Sequence, residues 1–261
     1  MTSAYDRGTS LSRAESAVSL PSVAPGDDDA TTLGIEIYAR LRRDLIAGHL
    51  KPGERLRFRQ LSAAYGVGIA PLREALSRLV SDQLVRFEGH RGYTVAPLSL
   101  SDLHDLCALR TELSCNALRR AIARGDEDWE AEILAALHRL ERTPLPHSVE
   151  DRKAVDEWEQ RHDRFHYSLI AACDSPWLLH FCGALSDHFQ RYRRAVIVVT
   201  SSSEALLKRV REQHRTVAEA AIARDAERAT SVLAEHFQGS VEVVIRNYEE
   251  VSRSLSAGNG D

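Results

Sequence analysis

Apolar positions recur at helical spacing along most of the chain, and one short stretch alternates instead. Ile35, Leu41, Leu45 and Ile46 mark a first amphipathic helix ending near Gly48. The segment LKPGERL then supplies a Pro-Gly turn. Phe58 to Tyr65 forms a short second helix, closed by Gly66-Val67-Gly68. Pro71 fits the first turn of a third helix, where its missing N–H is no loss, and Leu72, Leu76, Leu79 and Val80 give that helix an apolar face. In LVRFEGHRGYTVAPL, Val85 and Phe87 alternate with charged residues, Gly89 and Gly92 bracket a turn, and Tyr93 and Val95 resume the alternation. That is a β-hairpin. Three helices followed by a hairpin make a winged helix-turn-helix.

From Ser99 to about Val251 the period is helical almost throughout. Breaks near Gly125, Thr143-Pro144-Leu145-Pro146, Ser175-Pro176, Ser201-Ser202-Ser203 and Arg224-Asp225 delimit six helices with short connections. This predicts an antiparallel bundle. The expected fold is therefore mainly α: a disordered arm over 1–30, a winged helix-turn-helix over 31–98, an all-helical domain over 99–252 and a flexible tail over 253–261.

Charge sharpens this division. The formal net charge is -4, which by itself argues against nucleic acid. Leu33 to Pro97 nevertheless holds eleven basic and six acidic residues, a net of +5, leaving -9 on the rest. A basic module joined to an acidic one is the result. No window approaches the ~18 apolar residues of a spanning helix, and the N-terminus lacks a signal-peptide pattern, so a cytoplasmic protein is expected. Cys107, Cys115, Cys173 and Cys182 form no CxxC pair and read as buried packing residues.

Polar residues inside the apolar stripes carry the chemistry. In the first bundle helix Arg110 falls among Leu103, Leu106, Leu113, Ala117 and Ala121. A buried guanidinium there either pairs with an acid on a neighbouring helix or clamps a carboxylate. His162 and His166, four apart, precede Leu169, Ile170 and Cys173; His214 lies among Leu207, Val210, Val217 and Ala221; His236 lies among Val232, Leu233 and Val243. One such histidine is ordinarily a satisfied core residue, whereas four on three helices can hold a transition metal. Arg193 follows Phe189 and Tyr192 on the inward face of the fourth bundle helix. Of the remaining histidines only His90 is a candidate for a functional role. HExxH, GxSxG, a P-loop and GxGxxG are all absent. A metal-dependent enzyme would need a general base beside the metal, and no inward Asp or Glu is evident. A pure metal sensor is the other alternative.

PGERL, the GVxxxPLREAL core and the wing HRGYTV together resemble the winged helix-turn-helix of GntR-family transcription regulators. The helical remainder is similar to the FCD effector domain of the FadR subfamily. APLREAL, IARGDEDWEAEIL, DEWEQRHDRFH and RYR are most similar to its carbon-starvation-induced, glutarate-responsive branch. The resemblance implies a homodimeric repressor that binds a palindromic double-stranded operator and leaves it on binding a small dicarboxylate. It places DNA contacts at Arg59, Arg73, His90, Arg91 and Gly92, effector contacts at Arg110, Tyr192 and Arg193, and a divalent metal, Zn or Ni, on His162, His166, His214 and His236. Two positions depart from the family pattern. Gly68-Ile69-Ala70-Pro71 stands where Ser-Arg-Thr-Pro is common, which removes polar groups from the start of the recognition helix. His162 stands where an Asp ligand is common.

Overall fold

The computed structural model describes residues 27–257. The arm expected over 1–30 lies outside them up to residue 26, and the first helix, α1 (Asp27–Ile46), starts inside the expected arm. The expected tail is helical as far as Ala257, and its remainder lies outside the described residues.

The basic segment folds as α1, β1 (Arg55–Leu56), α2 (Phe58–Tyr65), α3 (Ile69–Ser81), β2 (Val85–Glu88) and β3 (Gly92–Val95). Its core joins Ile37, Leu41 and Leu45 of α1 to Leu72, Leu76 and Leu79 of α3. Ile35, expected in that core, is 49% exposed; Ile37 takes its place one helical step on. Gly66 ends α2 at φ 69°, a left-handed conformation that a side chain would strain. The hairpin is antiparallel, with Val85 opposite Val95 and Glu88 opposite Gly92. A third strand went unread in the sequence: Arg55 and Leu56 pair with Thr94 and Tyr93, giving the order β1-β3-β2. Two residues are too few to show a period, and only the hairpin's free edge makes them a strand.

The remainder is six helices, broken where the sequence predicts: α4 (Leu100–Arg124), α5 (Glu127–Arg142), α6 (Arg152–Ile170), α7 (Pro176–Ser202), α8 (Glu204–Ile222) and α9 (Ala226–Ala257). Four starts are capped by side chains. Ser99, Asp126, Asp151 and Ser203 accept the amides of Asp102, Trp129, Ala154 and Leu206. Each such cap contributes about 1 kcal/mol. The main bundle core gathers residues such as Leu118, Ile133, Phe165, Leu169 and Val217, all at most 2% exposed. A second, smaller cluster of Leu103, Cys107, Phe189, Tyr192, Val196, Val241 and Val244 lies where α4, α7 and α9 meet. All four cysteines are free and buried. Among the described residues no helix is long and apolar enough to cross a membrane.

Candidate effector and metal site, and the DNA-binding module

α6, α8 and α9 turn their inward faces toward one point. His162 and His166 from α6, His214 from α8 and His236 from α9 place one ring nitrogen each within 4.8 Å of all the others. The Nε2 atoms of His162 and His166 are 3.2 Å apart, and those of His214 and His236 are 3.3 Å apart. Nitrogens that share a tetrahedral ion at ~2.0–2.1 Å sit about 3.3 Å from each other. The two pairs already have that spacing. Burial lowers the pKa of all four imidazoles, to about 3 for His214, and the Arg193 charge adds to this. They are therefore neutral at pH 7, the form that ligates. His162 Nδ1 is buried with no hydrogen-bond partner; Asp163 Oδ1 lies 3.6 Å from it, beyond hydrogen-bond reach. The donor set fits a divalent transition ion.

Arg110 and Arg193 approach this cluster in different states. Arg193 is already paired. Its Nε donates to both Glu159 carboxylate oxygens, at 3.2 and 3.0 Å, one Nη donates to Glu159 again, and the same Nη reaches Asp163 at 2.9 Å. Desolvation works against the Arg193 charge, but the two carboxylates outweigh it and keep the guanidinium protonated. Glu159 is 1% exposed, so the sequence reading that no acid faces inward is corrected. Its signal was available: Glu159 is four residues from Val155 and three from His162, on the same helical stripe.

Arg110 is 3% exposed and makes no salt bridge among the described residues. Its guanidinium lies over the rings of Phe237, at 3.7 Å, and Phe189, at 4.6 Å. Desolvation, then the Arg193 charge, push its pKa down to about 10. The expected alternative of an acid partner on a neighbouring helix is thus not realised. A cavity of about 140 Å³ opens onto Arg110, Ser114, Asp163, His166 and Asp187. A second, smaller cleft is lined by His162, His236, Arg193, Arg209 and Gln213.

Tyr192 is not brought to either cavity. Its hydroxyl donates to Asp102 Oδ2 at 2.7 Å, beside the start of α4, and its ring lies in the smaller apolar cluster. Tyr192 faces the junction of α4, α7 and α9. The effector contact expected of Tyr192 is not brought to these two cavities.

In the basic module Arg59 on α2 and Arg73 on α3 are exposed, as are His90 and Arg91 in the turn between β2 and β3. The Arg73 guanidinium lies 5.8 Å from the Phe58 ring, and Arg91 pairs with Glu88 at 3.6 Å. Gly92 has φ 78°, so its place in the wing is set by backbone conformation rather than by a side chain. At the start of α3 Gly68 offers no side-chain cap, and Ile69 is 53% exposed. α7 contacts this module directly through His188, whose Nε2 donates to the Asp82 carbonyl at 2.9 Å. Helical period assigns His188 no role, because its partner is a main-chain atom on another domain.

A basic winged helix-turn-helix carried on a helical bundle defines a class of DNA-binding transcription regulator. Comparison with known families agrees. Residues 33–95 match the family model for bacterial regulatory proteins of the gntR family, and residues 105–239 match the FCD domain. The chain belongs to the GntR family of transcription regulators and carries an FCD domain; it is not an enzyme. It is 38% identical to the uncharacterized HTH-type transcriptional regulator BphR of Paraburkholderia xenovorans (strain LB400), over 79% of this chain and 83% of the relative. It is 36% identical to the HTH-type transcriptional repressor GlaR of Escherichia coli (strain K12), over 82% of this chain and 96% of the relative. Among solved structures it is similar to E. coli McbR/YncC, with a TM-score of 0.68 at 23% identity, covering 83% of this chain and 98% of that one. That last likeness concerns the fold.

Proposed function

We propose that this regulator is a homodimeric repressor released from a palindromic operator by a short dicarboxylate, glutarate first. The observation that carries the reading is the contrast between the two arginines. Arg193 is neutralised by Glu159 and Asp163, whereas Arg110 is a buried cation with no carboxylate, facing a cavity that also reaches His166. A desolvated, unpaired guanidinium is a standing site for a carboxylate, and the planar fork suits that group. His162, His166, His214 and His236 would hold Zn or Ni, a choice an all-imidazole set suits. The ion would supply a second fixed positive pole that favours a carboxylate. Two positive poles across one small cavity match an acid with a carboxylate at each end.

Similarity in APLREAL, DEWEQRHDRFH and RYR to the glutarate-responsive regulator CsiR supports the effector, and the similarity to the transcriptional repressor GlaR supports repression. On the DNA side Arg59, Arg73 and the wing residues His90, Arg91 and Gly92 would anchor the module on phosphates and base edges, with half-sites about one helical turn apart. The testing experiment is a thermal-shift screen of four- to six-carbon diacids with and without chelator, followed by operator release. Glutarate should raise the melting temperature, and chelation should weaken that effect. If no diacid shifts the transition and metal alone changes DNA affinity, the protein is a metal sensor instead.

A further inference from the structure

One helix, α7, touches both the cavity and the DNA-binding module, and it does so within two turns. Four of its residues grip the module. Asp187 accepts from the Arg42 guanidinium of α1. His188 donates to the carbonyl of Asp82, the residue that ends the recognition helix α3. Arg191 donates to the carbonyl of Ala96, just past the wing. Arg194 donates to the carbonyl of Ala47 at the end of α1, at 2.7 Å, and pairs with Asp156 of α6. Asp82 is itself tied to α1, since its carboxylate accepts from the Tyr38 hydroxyl at 2.6 Å. The ends of α1 and α3 are thus held by a single rod.

His188, Arg191 and Arg194 do not line the cavity. Asp187 differs: among the described residues it alone both lines the 140 Å³ cavity and pairs with the DNA-binding module. Its carboxylate and that of Asp163 share the cavity wall. We propose that Asp187 is the positioning residue that couples the cavity to the DNA-binding module, because an anion in the cavity competes with the Asp187 carboxylate for the Arg42 guanidinium. An anion entering beside Asp163 and Asp187 offers Arg42 a rival carboxylate and sets like charge beside Asp187, so the Arg42–Asp187 pair opens as the effector binds. Conversely, a DNA-bound arrangement that fixes Arg42 fixes Asp187 and with it the cavity wall. Coupling of this kind is reciprocal, so DNA can serve as the probe in place of the effector. The inference rests on the cavity being the effector site, but its test does not depend on which acid binds.

The experiment is hydrogen–deuterium exchange of the full-length, metal-loaded protein, with and without a DNA duplex selected by this protein from a random pool. In the wild type, duplex binding should slow exchange several-fold in the α7 segment at 182–187, which touches no DNA-contact residue. In Asp187→Asn and in Arg42→Gln that DNA-dependent slowing should fall below twofold, while Asp187→Glu should retain most of it. A merely structural role would lower the melting temperature of the variants but leave the DNA-dependent difference in place. Slowing at 182–187 that persists unchanged in Asp187→Asn, or its absence in the wild type, overturns the proposal. Should Asp187→Asn fail to fold, Arg42→Gln carries the same test from the other end of the pair. Failure of every diacid to bind would sink the dicarboxylate reading and leave this measurement intact.

Discussion

Replacing Arg110 by Met should stabilise the protein and abolish its response to the effector. The guanidinium is buried without a carboxylate, and burial pushes its pKa down from the usual guanidinium range to about 10. At 1.36 kcal/mol per unit, holding the charge there costs about 3 kcal/mol. Part of this is offset by the Phe237 and Phe189 rings, whose cation–π contacts contribute roughly 0.5–2 kcal/mol. Met keeps the length and the apolar contacts of the stripe and carries no charge. The net gain should be about 1–2 kcal/mol, which for a chain of this size raises the melting temperature by roughly 2–8 °C. The same change leaves one end of a bound diacid unpaired in a partly dry cavity, costing about 1–3 kcal/mol, or ~10- to 100-fold in affinity. The assay pairs thermal melting with operator release against glutarate and valerate. Wild type should respond to glutarate and poorly to valerate; Arg110→Met should bind the operator normally and respond to neither. A marked fall in melting temperature would show that Arg110 is a structural charge. A normal glutarate response in the variant, or equal potency of the two acids in wild type, would show that the pocket is misplaced.

Arg193→Met should behave in the opposite way, because it strands Glu159 at 1% exposure without its cation; a loss of about 3–5 kcal/mol is expected, read as a drop in melting temperature, and an unchanged transition would refute the pairing. His214→Ala or His236→Ala should lower metal content sharply by elemental analysis, with His162→Ala milder because water can take that position; full occupancy in a His166→Ala/His214→Ala double variant would remove the site from this cluster. Arg73→Ala should abolish specific DNA binding, since removing one guanidinium from the DNA interface costs about 1–3 kcal/mol, and an unaltered footprint would displace the recognition helix from α3. Diacids one carbon shorter or longer than glutarate should release the operator at higher concentration, since the two poles are fixed in space; equal potency across the series would argue against a two-pole pocket.

Much of this architecture was legible in the chain. Helical period, Pro and Gly breaks and the alternation in VRFEGHRGYTV locate the winged module and six bundle helices, because backbone hydrogen bonding and burial of one face are local demands that each segment must meet alone. The same period puts His162, His166, His214, His236 and Arg110 on inward faces. Period alone, however, says which way a side chain points from its own helix and not what it meets. Packing decided that the four imidazoles converge within 4.8 Å, that Arg193 is engaged by Glu159 while Arg110 stays unpaired, and that Tyr192 turns to Asp102 rather than to the cavity. It also made a strand of Arg55–Leu56 and provided His188, Arg191 and Arg194 with their carbonyl partners on another domain. These are long-range contacts between groups of fixed charge and shape, and their partners are set by how helices cross in three dimensions, which no stretch of local sequence encodes.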